Sequence, residues 1–334
     1  MLLMVTSRKL RNGKYGNDEQ ANFGFDYLYN YNNGERGRDS FLGKGKRGFE
    51  ASLLAELRRL KNEVGINTPK IGIYLHGYNN DWQQGIDEIF DLHNTFRESM
   101  GYEPIIVGFS WPSMGETRAY LTDREEARQS APAFVRFLRD INDFAHRHEQ
   151  DCFSTTYCIA HSMGNYLLRK GMEYLSDHLG SPMGRSLFTE TVMLAPDIAS
   201  KDIELDGKGR YISHFSRRVH VYYSKHDRAL KASSAKRFGG DRLGRHGAKD
   251  YGNVASNIAF INAEIYASSS GIDGTLDREG EQVSVHSSHR YQGNIVADII
   301  QVLSSVDRDT IPNRYPVIDP DAPRPGKTNH FKLD

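Results

Sequence analysis

The stretch that most constrains this chain is Tyr157-Cys158-Ile159-Ala160-His161-Ser162-Met163-Gly164-Asn165, near its middle. An apolar, β-branched run (Thr155, Thr156, Tyr157, Ile159) stops at a small-x-Ser-x-Gly pattern, and Tyr166, Leu167, Leu168, Gly171, Met172 and Leu175 then recur at helical spacing. The segment predicts a strand, a sharp turn and a helix. A serine on such a turn is pushed out at the top of a sheet with its hydroxyl presented. The positions two before and two after it have to be small, because strand and helix approach closely there. Ala160 and Gly164 occupy those positions.

The rest of the chain supplies a sheet for that turn to sit on. Apolar runs at 70–75, 105–109, 189–194 and 218–223 read as buried strands, a short one opens the chain at 1–6, and 258–267 is strand-like. Between them Phe49, Leu53, Leu57 and Leu60 mark one helix face, and Ile86, Ile89, Phe90 and Phe96 mark another with Asn80 or Asp81 as N-cap. Residues 123–148 predict an amphipathic helix, with Pro132 as a breakpoint, and Ile295, Val296, Ile299, Ile300 and Leu303 a last one. Strands alternating with helices predict an α/β fold: a doubly wound, mostly parallel central sheet flanked by helices. We divide the chain into an N-terminal strand with a long surface excursion (1–48), a catalytic domain (49–305) with lid or loop insertions at about 200–216 and 228–257, and an extended tail (306–334) containing five prolines.

Composition removes several function classes. Lys+Arg and Asp+Glu both total 43, so no broad basic face is on offer and nucleic acid is not an expected partner. No apolar run approaches the roughly 20 residues of a membrane span, and the first six residues are too short for a signal core. Cys152 and Cys158 have no second pair, which points away from a zinc site or disulfide framework and toward a reducing, cytoplasmic setting. No metal or other cofactor is expected, and nothing specifies an oligomeric state.

Chemistry-bearing residues follow the apolar runs one by one: His76-Gly77, Ser110, Ser162, Asp197, Asp227 and His286. In a parallel sheet that is the edge where ligands bind. A serine hydroxyl needs a histidine base, and the histidine needs a carboxylate to set its tautomer and stabilise its cation. Ser162, Asp227 and His286 come in the order nucleophile, acid, base found in α/β-hydrolases. Backbone N–H groups of Met163 and Tyr78 are placed to form an oxyanion hole.

Five motifs, Leu75-His76-Gly77-Tyr78-Asn79, Phe109-Ser110-Trp111-Pro112-Ser113, Ala160-His161-Ser162-Met163-Gly164-Asn165, Leu194-Ala195-Pro196-Asp197 and Tyr223-Ser224-Lys225-His226-Asp227-Arg228-Ala229-Leu230, together resemble a bacterial α/β-hydrolase family of unknown function. Arg242-Leu243-Gly244-Arg245-His246-Gly247 is similar to its pattern too, and the resemblance covers roughly residues 70–305. It implies a serine-hydrolase core with Ser162 as nucleophile, Asp227 as acid and a histidine near 286, and no particular substrate.

Alternatives remain at two positions. Asp197 follows the preceding strand, where some hydrolases resembling this one carry the acid, and Asp227 also suits a helix N-cap. His289 competes with His286 as base; the spacing to the last helix resembles the family's for His286. His76 reads as structural. His161 and His226, beside catalytic positions, should point away from them in extended geometry. Trp111, Tyr78 and Tyr166 read as core or pocket wall, and Lys44, Lys46, Arg47 and the basic residues around 236–249 as solvated loop charge. The expected function is hydrolysis of a small-molecule carboxylic ester or related acyl bond. Thioesterase, amidase or acyltransferase chemistry and a non-catalytic binding module are the alternatives.

Overall fold

The structure, a computed structural model, describes residues 2–30, 41–43, 45–115, 119–148, 156–179, 186–236, 240–266, 271–272, 274–277, 280–317 and 329–334. Cys152 and Lys44 lie outside the described residues. The chain begins with strands β1 (Leu3–Thr6), β2 (Arg8–Arg11), β3 (Lys14–Glu19), β4 (Asp26–Asn30) and β5 (Phe41–Gly43), followed by helix α1 (Gly45–Arg59). Then come β6 (Ile71–Leu75), α2 (Trp82–Met100), β7 (Ile105–Ser110), α3 (Tyr120–Gln129), α4 (Ala131–Arg147), β8 (Thr156–His161) and α5 (Gly164–Leu179). The second half carries β9 (Phe188–Leu194), α6 (Arg210–Phe215), β10 (Ser216–Tyr223), α7 (Arg228–Lys236), α8 (Leu243–His246), β11 (Ile258–Asn262), α9 (Gly293–Leu303), β12 (Arg314–Pro316) and β13 (His330–Leu333).

Among the described residues these strands form an 11-stranded sheet in the order β12-β13-β11-β10-β9-β8-β6-β7-β1-β4-β5, with β2 and β3 pairing as a separate hairpin. From β1 through β7, β6, β8, β9, β10 and β11 to β13 every pairing is parallel; β4, β5 and β12 add antiparallel edges. The predicted architecture is present. Helices cover both faces because the strands are apolar on both: Ile71, Ile73, Leu75, Cys158 and Ala160 join the core under α1, α4 and α5, while Tyr74, Tyr157 and Ile159 join a second core under α2 and α9. Winding direction reverses between β6 and β8, the place in such a sheet where crevices open.

Local signals explain most boundaries. Asp81 caps α2 in a reciprocal box with Gln84. The helical run over 123–148 is broken at Ser130, with Pro132 in the first turn of α4. Two regions depart from the reading. Residues 7–48, expected as loop, contain a hairpin and two strands, and the stretch after 306 contributes β12 and β13 to the sheet edge. Strand character at 258–267 ends at Asn262.

Candidate active site

Strand β8 ends at His161, and Ser162 leaves it with φ at +51°, a left-handed conformation costly for any residue with a side chain. Hydrogen bonds hold it there. Its N–H donates to Leu194 O at 2.9 Å, and its carbonyl accepts the N–H groups of Asn165 and Asp197, both at 3.1 Å. The Asn165 amide, fully buried, donates to Ala160 O at 2.8 Å and braces the turn from inside. The small residues are required as the sequence suggested: a Cβ on Gly164 would lie 2.5 Å from Leu75 O and 2.7 Å from His76 O. Asn79 after β6 and Ala195 after β9 also have positive φ, so strained backbone gathers at the carboxyl edge of the sheet.

Asp227 follows β10 and is 1% exposed. Its Oδ2 accepts from His286 Nδ1 at 2.7 Å, while its Oδ1 accepts the Leu230 N–H at 2.9 Å. Both sequence readings of this residue therefore hold together: it caps α7 and orients a histidine. His286 lies in a 3-10 turn, Val285–Arg290, that arrives over the sheet edge just before α9. Burial works against its cation, but Asp227 outweighs burial, helped by Asp197 and Glu88, and the His286 pKa is raised above 6.5. His289, the competing base, is 3% exposed, has no hydrogen-bond partner at Nε2 among the described residues, and lies with its ring 4.4 Å from that of His161, tilted by 47°. Burial first, then His161 and Arg290, hold its pKa well below 6.5.

Asp197, the competing acid, is engaged elsewhere. Tyr120 OH donates to its Oδ2 at 2.9 Å, Ser233 Oγ to its Oδ1 at 2.7 Å, and Arg242 Nε lies 3.2 Å from Oδ1. Arg242 is 2% exposed, so one of the basic residues read as solvated loop charge is a buried structural cation. Its sequence neighbourhood is polar, and only the fold brings a carboxylate to it.

The loop after β6 is built around His76. Nδ1 donates to Gly77 O at 2.8 Å, Nε2 accepts the Trp111 N–H at 3.2 Å, and the two rings stack at 5.1 Å. Burial lowers the His76 pKa to about 4, so the ring is neutral, as a structural role requires. Within this loop the N–H groups of Gly77, Asn79 and Asn80 have side-chain acceptors. Those of Tyr78 and Met163 have none among the described residues.

His161 differs from its reading. Its Nε2 donates to the backbone carbonyl of His286 at 2.9 Å, its Nδ1 meets Glu88 Oε1 at 2.9 Å, and its ring sits 4.8 Å from that of His286. Alternation did point it away from Ser162, onto the α2 face; the turn carrying His286 crosses that same face. Glu88, which the sequence reading passed over, also receives Asn80 Nδ2 at 2.9 Å, the Tyr74 hydroxyl, and Arg290 Nη1 at 3.3 Å. Burial would raise its carboxyl, but Arg290 and His161 keep it well below the usual range. The available signal was a carboxylate set among Ile86, Ile89 and Phe90 on a helix face that had to be buried. Arg8 was missed because residues 7–48 read as a surface excursion. Fully buried, it ties Ser110 Oγ at 2.9 Å and Asn80 O at 2.8 Å to the start of β2.

Ser162 is 2% exposed. A cavity of about 20 Å³ lies behind Asp227 and His286. A larger cleft of about 550 Å³, lined by Glu19, Phe23, Arg128 and Tyr174 among others, contains none of the predicted catalytic residues. Among the described residues no cluster of three or more His, Cys, Asp or Glu side chains is arranged to hold a metal ion, and no helix is long and apolar enough to cross a membrane.

A mostly parallel sheet with helices on both faces and a serine on a strained strand-to-helix turn define an α/β-hydrolase. The family model described as alpha/beta hydrolase of unknown function (DUF900) matches residues 53–272, and the chain belongs to that family. An uncharacterized protein of Nostoc sp. (strain PCC 7120), alr1448, is 32% identical over 174 residues, which cover 44% of this chain and 43% of that protein. Among solved structures the chain is similar to phospholipase PlaB from Legionella pneumophila, at 12% identity. In complex with thio-NAD that structure has a TM-score of 0.26 with 66% of this chain and 44% of that one covered. Without it the TM-score is 0.28, with 46% of that chain covered. A likeness of that strength carries no functional argument.

Proposed function

We propose that this chain is a serine hydrolase that cleaves a carboxylic ester or a related acyl bond through an acyl-enzyme on Ser162. The observation that carries the reading is the 2.7 Å contact between His286 Nδ1 and Asp227 Oδ2, made on the same sheet edge as the strained serine. Asp227 holds the proton on Nδ1, which leaves Nε2 as the base. Ser162 Oγ attacks the acyl carbon as its proton passes to His286 Nε2. The N–H groups of Tyr78 and Met163 receive the oxyanion, and the alcohol leaves with the proton from His286. Water then repeats the sequence on the acyl-enzyme, delivering its proton to His286 and releasing the acid. His289 and Asp197 take no part in this scheme, because neither is paired as a base or an acid requires. Thioesters and amides suit the same residues, and a reducing cytoplasm suits a chain with a buried free Cys158.

A non-catalytic binding module on the same fold has one observation on its side, the burial of Ser162. Fluorophosphonate labelling of the wild type and of Ser162→Ala, with turnover of p-nitrophenyl esters of increasing chain length, separates the two. Labelling and turnover that vanish in the variant are expected. Labelling that persists in Ser162→Ala, or neither signal in the wild type, would sink the hydrolase reading.

A further inference from the structure

We propose that a pocket of about 350 Å³ between α3, α5 and the segment after β9 binds an anionic group, a phosphate or a carboxylate, and that this group belongs to the substrate. The link to catalysis rests on the assignment of Ser162 as nucleophile. The binding site itself does not.

Charge is concentrated here. The chain as a whole carries equal numbers of basic and acidic residues, yet Arg124, Arg169, Lys170, Lys201 and Lys208 line this pocket with Asp202 as its one carboxylate among the described residues. Arg169 Nη1 contacts Asp202 Oδ2 at 3.0 Å, and Lys170 Nζ contacts Glu173 at 2.8 Å. Lys201 and Lys208 make no ion pair among the described residues. Exposed lysines alone are ordinary. The arginines are not, since Arg124 is 9% and Arg169 5% exposed, and Arg169 Nε is buried without an acceptor among the described residues. A buried N–H left unsatisfied is destabilising unless a ligand completes it.

The walls suit an anion in shape as well. Tyr166 presents its ring to both guanidinium groups, with Arg124 Cζ 3.5 Å and Arg169 Cζ 4.9 Å from its centroid. Stacking orients a planar guanidinium, so its N–H edge meets an oxyanion without further loss of rotamer freedom. Position ties the pocket to the serine. Tyr166 lies in the first turn of α5, four residues after Ser162. Arg124 Nη1 donates to Asp197 O at 3.4 Å, and the Asp197 N–H donates to the Ser162 carbonyl at 3.1 Å. A substrate acylating Ser162 can place a charged tail here, beside the two lysines that have no ion pair among the described residues.

Calorimetric titration of inorganic phosphate and glycerol 3-phosphate into the wild type, Ser162→Ala and the surface double variant Lys201→Gln/Lys208→Gln tests the site. Binding should persist in Ser162→Ala, weaken about tenfold in the double variant, and fall with added salt. Vesicles of phosphatidylcholine with and without phosphatidic acid distinguish the source: retention by the anionic vesicles alone assigns a lipid headgroup, while binding of free glycerol 3-phosphate assigns a soluble ester. Paired turnover of mono-p-nitrophenyl glutarate and p-nitrophenyl butyrate should favour the anionic ester about tenfold, with that preference reduced to about twofold or less in the double variant. Fluorophosphonate labelling of Ser162 without binding of any of these anions overturns the pocket and leaves the hydrolase. Lysine-dependent anion binding without labelling overturns the hydrolase and leaves the pocket. Anion binding indifferent to both lysines also overturns it.

Discussion

At the scale of single residues, the acid–base pair makes a prediction with a definite sign. In the proposed mechanism His286 must be neutral to take the proton of Ser162, and Asp227 holds its pKa above 6.5 despite burial. The acid limb of kcat/KM on an activated ester should therefore have its midpoint above 6.5. Asp227→Asn removes the largest favourable influence and leaves burial, so the midpoint should drop below 6.5 while kcat falls by roughly ten-thousandfold. A wild-type midpoint at or under 6.5 would contradict the pairing. Stability runs the other way in the same window. A raised histidine pKa contributes stability that is complete below 6.5 and is lost as pH rises through the folded value, so this pair is active where its contribution to folding has faded. Much at this scale was legible. Ser162 announced itself through the small residues that strand–helix approach demands, and Asp227 through its place after a strand. Between His286 and His289 only the resemblance in spacing to the last helix favoured His286, because the pairing itself depends on which ring a three-residue step along one 3-10 turn brings to Asp227.

Glu88 shows what an element adds. One carboxylate on α2 ties together the loop after β6 through Asn80, the end of β8 through His161, and the His286 turn through Arg290. Glu88→Gln keeps the shape but leaves Arg290 buried without its counter-charge, a change worth about 3 kcal/mol or more. Thermal unfolding should reveal the loss directly. Because the same residue contacts the turn of the proposed base and the proposed oxyanion loop, kcat should fall more than KM rises, whereas Arg11→Gln at an exposed pair should move neither. Equal changes in the two variants would remove this role. The elements themselves were readable where burial on both faces demands unbroken apolar runs, as in β6, β7 and β8. They were not readable in β4 or β12: Asp26-Tyr27-Leu28-Tyr29-Asn30 and Arg314-Tyr315-Pro316 are short and polar, and only pairing with a neighbour makes them strands.

Across the whole molecule, the buried histidines should limit stability in acid. His76 sits in the loop after β6, and His220 lies on β10 between Arg314 Nη1 at 3.4 Å and Glu190 Oε2 at 3.3 Å. Burial lowers each pKa to about 4, aided at His76 by Arg8 and at His220 by Arg314. Above 6.5 neither the folded nor the unfolded chain protonates them, and their stability contribution is complete. Between 6.5 and about 4 the unfolded chain binds these protons and the folded chain refuses them, so stability falls as pH falls. Each group steepens the decline by up to about 1.4 kcal/mol per pH unit. Titration of His286 does not offset this, since its folded and unfolded forms are both protonated at the lower end of the window. Calorimetric unfolding from pH 7 to pH 4 should show Tm dropping progressively below about 6.5. His220→Gln, which keeps a hydrogen-bonding side chain and removes one proton from the balance, should make the drop shallower even if it lowers Tm at pH 7. A Tm that is level from pH 7 to 4.5, or a slope unchanged in the variant, would mean that the core accepts those protons and that the charged neighbours of His220 move aside to let it.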